Sequence, residues 1–318
     1  MAATAEDLID RRRLRRKVTF WRVFALAVAA LAIIGIAWAL YDGGAAGKSV
    51  DHIAKVKIEG TILEDEDLLQ LLEDLRKSPT AKGVIVSIDS PGGTTAGGEA
   101  IYEAVRAVAK EKPVVAQVGT LAASAGYMIA SASDQIVARQ SSIVGSIGVL
   151  AQIPNFSRLM DKIGISVDEV KSSPLKAEPS PFNPTTEEER AMLRSMIMDS
   201  YNWFIGLVEE RRPLSRSEVL ALADGSVFTG RQALSRKLVD RLGGEKEAIA
   251  WLGEKGVSAD LKVIEWKPKK KGYSLLFGSD VGKAIGSLIG LPGAGSDLLR
   301  ETGADRLFLD GLISLWHP

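Results

Sequence analysis

Between residues 50 and 138, short apolar runs alternate with runs patterned for helix, and this alternation restricts the fold more than any other feature. VDHIAKVKIEG (residues 50–60), KGVIVSIDS (82–90), PVVAQV (113–118) and DQIVA (134–138) read as strands. DEDLLQLLEDLRKS (65–78), GGEAIYEAVRAVAKE (97–111) and the short SAGYMIASAS (124–133) read as the helices between them. Strands joined by crossover helices make an α/β domain with a largely parallel sheet. Sites in such folds gather at the C-terminal ends of strands. SSPLKAEPSPFNP breaks the alternation with prolines at 174, 179, 181 and 184, too many for a helix or an inner strand. Residues 185–212 are expected as one long amphipathic helix, opened by a capping threonine and first-turn acids. Residues 224–244 read as turn, short strand, helix and C-cap glycines.

The N-terminus carries a second constraint. RRRLRRK (11–17) precedes VFALAVAALAIIGIAWAL (23–40), eighteen residues without a charge. That length is near the lower limit for crossing a bilayer. Aromatic residues flank the run at Phe20, Trp21 and Tyr41. The six basic residues before it keep the N-terminus in the cytoplasm and send the chain beyond about residue 42 across the membrane. Ala37-Trp38-Ala39 resembles a signal-peptide cleavage site, but the apolar run is long for a signal, so an uncleaved transmembrane helix is the expectation. The expected organisation is a basic N-terminus (1–19), an anchor (20–41), a linker (42–49), a catalytic domain (50–266) and an apolar C-terminal extension (267–318). The extension is rich in Gly and Leu and is expected to dock on its own domain or on another subunit.

Composition removes several chemistries. Without cysteine there is no disulfide, thiolate ligand or cysteine nucleophile. Two isolated histidines, His52 and His317, make no zinc site. Forty basic against forty acidic residues give no reason to expect nucleic acid. No cofactor is implied.

GTLAASAGYMIA (119–130) places Ser124 among small residues at a strand-to-helix turn. Such a serine is either a helix cap or a nucleophile whose following N–H forms half of an oxyanion hole. SPGG (90–93) ends the strand VIVSID and reads as a turn that could expose a second backbone donor. Neither histidine lies in a motif that would make it the base. A lysine can activate serine if it is partly neutral, which an apolar, constrained setting favours. Lys176, within the proline loop and beside Leu175 and Ala177, is the candidate, although a solvated loop lysine is the simpler reading.

GTLAASAGYMIA, SPGG upstream, KSSPLKAEPSP downstream and the 52-residue step from Ser124 to Lys176 together resemble the signal peptide peptidase A family, in its short single-domain form. These are membrane-anchored serine–lysine proteases with a Clp protease/crotonase-like fold. The resemblance implies Ser124 as nucleophile, although Ala125 stands where the family has glycine. It implies Lys176 as general base and Ser146, in VGSIGV, as the serine that orients it. It implies Gly93 and Ala125 as oxyanion donors, with Gly92 shaping the turn. It further implies apolar peptide substrates, namely cleaved signal peptides, and a homo-oligomeric ring whose active site is shared between subunits. The location expected is the bacterial inner membrane, single-pass, with the catalytic domain in the periplasm. The alternatives are a related protease acting on other membrane proteins, a crotonase-type acyl-CoA enzyme, and an inactive scaffold.

Overall fold

The computed structural model describes residues 16–33, 48–268 and 313–315. Contacts divide the chain into two units, 1–51 and 52–318. In the first unit residues 16–33 are helical, with their side chains exposed. The rest of the apolar run, 34–40, lies outside the described residues. Among the described residues, no helix is long and apolar enough to cross a membrane.

Among the described residues, the second unit is built on one nine-stranded sheet. Its strands are β1 (His52–Ile62), β2 (Ala81–Thr94), β3 (Val114–Ala123), β4 (Gln135–Ala138), β5 (Ile143–Gly145), β6 (Val227–Thr229), β7 (Arg241–Leu242), β8 (Val263–Trp266) and β9 (Ile313–Leu315). Its helices are α1 (Glu66–Lys77), α2 (Thr95–Ala109), α3 (Ala125–Ser131), α4 (Ser157–Ile163), α5 (Glu187–Arg211), α6 (Arg216–Leu222), α7 (Gly230–Ser235) and α8 (Glu245–Glu254). The main path runs β6-β5-β3-β2-β1-β8, with β4 also on β3, β7 on β4 and β9 on β2. Pairings are parallel except β5 with β6 and β2 with β9.

The central strands are buried on both faces, as parallel strands between helical layers must be. Ala54, Val84, Val86, Val114 and Ala116 face one core, where Leu72, Leu75, Val105 and Met128 pack. Ile53, Ile85 and Val115 alternate onto the other, against Trp251 and Leu252 of α8. Helix starts are fixed by local chemistry: the Asp65 side chain accepts from the Asp67 and Leu68 N–H groups, and Thr186 with Glu189 forms a capping box for α5.

Three local expectations change. SPGG is not a turn: β2 continues through it to Thr94, because Ile62 of β1 still pairs with Gly93. The long helix is amphipathic only in part, since beyond the cap residue Glu189 its buried residues are Phe204, Ile205 and Val208, while Met196 and Met198 are exposed. Gly243 and Gly244 end no helix; they follow β7, and Gly244 opens α8.

Candidate active site

β3 changes neighbours along its length. Its first half pairs with β4 and its last residues, Leu121–Ala123, with β5. Ala123 lies opposite Gly145, so Ser124 and Ser146 are the next residues along two adjacent parallel strands. Ser124 N–H donates to Gly145 O at 2.8 Å, and Ser146 N–H donates to Ser226 O at 2.7 Å. Both serines take positive φ, 56° and 51°, and both are buried. A non-glycine residue is held there only where its surroundings over-determine the backbone.

Ser124 occupies the N-cap position of α3, but its side chain makes no capping hydrogen bond. The cap reading therefore fails, and the hydroxyl is not committed to the helix end. Ser124 and Ser146 line a cavity of about 550 Å³ whose other walls include Ile147, Val149, Leu150, Met198 and Tyr201. The walls are mainly apolar, suited to an aliphatic side chain.

The turn after β3 is pressed against the end of β2. A Cβ on Gly126 would lie 2.9 Å from Ser90 O, so only glycine allows this approach. The small neighbours of Ser124 thus serve the contact between α3 and β2, a reason the motif did not reveal. Ser90, buried, completes the arrangement. Its Oγ donates to Gly60 O at 2.6 Å and accepts from Gly92 N–H at 3.1 Å. Sequence reasoning passed over Ser90, which looked like part of an ordinary turn. Gly93 is tighter still, since a Cβ there would meet Ile62 O at 1.8 Å.

β1 pairs with β2 as far as Gly93 on one edge, so β9 must take the other, which β3 leaves after Ala122. Its register sets Gly93 opposite Ser314. Three residues of the C-terminal extension therefore dock on their own domain. The remainder of that extension, with His317, lies outside the described residues.

Lys176 is not brought beside Ser124 within one chain. It lies in the loop between α4 and α5, is exposed, and does not line the cavity of Ser124 and Ser146. The loop projects its apolar neighbours into solvent: Ile163, Ile165, Val167, Val170 and Phe182 are all exposed. Among the described residues Lys176 stays exposed, so the apolar setting expected for this lysine is not formed by them. His52 is no substitute base. It is fully buried in β1 and accepts from Trp266 Nε1 at 3.0 Å. Among the described residues there is no cluster of side chains able to hold a metal.

A strained serine at a strand-to-helix turn, at the C-terminal end of a parallel sheet and on an apolar cavity, is compatible with a serine peptidase. The Clp protease family model matches residues 57–144, and the peptidase family S49 model matches residues 106–259. A candidate protease of Methanocaldococcus jannaschii is 37% identical over 225 residues, covering 70% of this chain and 72% of that one. A candidate signal peptide peptidase A of Enterococcus faecium is 30% identical over 272 residues, 79% of this chain and 76% of that one. The chloroplastic serine protease SPPA of Arabidopsis thaliana is 30% identical over 278 residues, 84% of this chain and 40% of that one. The chain belongs to peptidase family S49 and is a serine peptidase.

Proposed function

We propose that this peptidase is an anchored endopeptidase with a serine–lysine dyad, acting on apolar, extended peptides of which spent signal peptides are the main class. The observation that carries this reading is Ser124: buried, strained, uncommitted to its helix, beside Ser146 on an apolar cavity. In the reaction Ser124 Oγ attacks the peptide carbonyl carbon and its proton passes to neutral Lys176. The N–H groups of Gly93 and Ala125 receive the oxyanion. Collapse breaks the C–N bond as the Lys176 ammonium protonates the leaving amine. Water, deprotonated by the same lysine, then cleaves the acyl-serine ester and restores both side chains.

Lys176 belongs, in this reading, to the site of a neighbouring copy. Its exposure and the exposed apolar residues of its loop support this, because a second chain laid on the loop would remove both from water. Ser146 then orients the incoming lysine amine. The uncharged run 23–40 supplies the anchor, with the basic segment before it on the cytoplasmic side of a bacterial inner membrane.

The test is hydrolysis of an apolar fluorogenic peptide by the full-length protein. Ser124→Ala and Lys176→Ala should each lose at least about a thousandfold in kcat while remaining assembled. Mixed and reassembled, the two inactive variants should regain part of the activity through sites that combine one intact serine with one intact lysine. Full activity in Lys176→Ala would remove the dyad. An absence of recovery on mixing would place serine and lysine in the same chain.

A further inference from the structure

The loop that carries Lys176 contains a second lysine, and the two are in opposite circumstances. Lys171 Nζ contacts the carboxylates of both Glu169 and Glu178. Glu178 is nearly buried, its side chain only 8% exposed, and its other oxygen accepts from Ser180 N–H at 2.6 Å. Ser180 is itself buried, and its Oγ donates to Glu169 at 3.4 Å. These four residues close a ring of contacts that ties the two ends of the loop together. Lys176 lies on the arc between them, with its N–H on Ser173 O at 3.1 Å and Ala177 after it at φ 62°. Among the described residues Lys176 has no carboxylate within ion-pair distance.

Glu178 is the carboxylate nearest to Lys176 in sequence, two residues away. On a free loop it would be the natural counter-ion of Lys176. A carboxylate within about 4–6 Å favours the charged form of a lysine, and a charged lysine cannot take a proton from serine. We propose that Lys171 is a positioning residue for the reaction: by engaging Glu178 and Glu169 it fixes the loop and keeps their carboxylates off Lys176. This rests on the reading of Lys176 as the base.

Lys171 suits the task because it stays charged. Hydrogen bonding to Glu169, then to Glu178, raises it above the ordinary lysine value, and Lys171 in turn lowers Glu178. The pair's contribution is present above the ordinary carboxylate value and fades only as pH falls through the lowered value of Glu178. At the other end it is present below the ordinary lysine value and fades only as pH rises through the raised value of Lys171. The clamp therefore spans the range in which a lysine base must work. Among the described residues, the charges acting on Lys171 are those of Glu169 and Glu178. The neighbouring segment reaches the loop through uncharged groups, Phe156 N–H to Pro181 O and Asn155 Nδ2 to Asn183 O.

The experiment is the pH–rate profile of the full-length assembled enzyme on an apolar fluorogenic peptide. Lys171→Met should move the acidic limb of kcat upward by about one pH unit, a loss of about tenfold at neutral pH, with little change in KM. Lys171→Arg should keep the wild-type limb. Adding Glu178→Gln to Lys171→Met should bring the limb back, a rescue that a purely structural role does not give. If Lys171→Met does not assemble, Lys171→Gln against Lys171→Gln/Glu178→Gln makes the same comparison with hydrogen bonding retained. A limb that stays in place in the single variant, or that Glu178→Gln leaves shifted, overturns the proposal. Lys176→Ala separates the two readings. If it is active, the dyad itself falls; if it is inactive while the Lys171→Met limb is unmoved, only the role of Lys171 falls.

Discussion

Ser124 holds φ 56° and ψ −120°, a conformation that glycine accepts and that costs other residues about 1–3 kcal/mol. Ser124→Gly and Ser124→Ala both remove the hydroxyl and should both be inactive. The glycine variant should nevertheless be the more stable of the two by about 1 kcal/mol in urea denaturation, because only alanine keeps the strained Cβ. Gly126 gives the opposite sign. In an ordinary helix Ala would be favoured over Gly by about 0.5–1 kcal/mol. Here Gly126→Ala should destabilise by about 1–3 kcal/mol and lower kcat more than KM, since its Cβ pushes α3 away from Ser90. Residues of this kind were legible in part. The small-residue context of Ser124 marked the position, and Ser146 stands beside it in register. The backbone strain and the packing against Ser90 were not legible, because the strain shows only in the folded backbone and the packing involves a residue 36 positions before Gly126.

Elements were the more readable level. Each strand and helix read between residues 50 and 138 is present, since two-sided burial writes continuous apolar runs into β1, β2 and β3. What escaped was pairing between distant segments. Nothing in DGLISLWHP identifies residues 313–315 as a strand on Gly92–Thr94. An external peptide drawn to that edge has to compete with β9 for the same backbone groups. Deleting residues 313–318 should therefore lower KM for a short apolar peptide several-fold, measured by steady-state hydrolysis, while leaving kcat nearly unchanged. The join between α5 and the sheet depends on a different distant contact. Arg212, buried just after α5, pairs with Asp240 at 2.6 and 3.0 Å and donates to Lys237 O at 2.8 Å. Asp240 also accepts from Ile136 N–H at the start of β4, at 2.8 Å. Asp240→Asn should cost about 3 kcal/mol in thermal or urea unfolding by leaving the guanidinium unpaired.

At the scale of the molecule, the exposed position of Lys176 has a kinetic consequence. If Ser124 and Lys176 form the proposed dyad, a chain with the serine in a cavity and the lysine exposed on a loop is inert while alone. Its rate per chain should then rise with protein concentration, steeply below the assembly midpoint and not at all above it, and dilution should switch it off reversibly. Kinetics over a hundredfold range of enzyme would show this as curvature, where a self-contained site gives a straight line through the origin. For a peptidase that shares its site between chains as proposed, crowding would then act as the switch. Newly made and scattered copies would then do no harm, and cleavage would begin only where the population is dense enough for chains to meet.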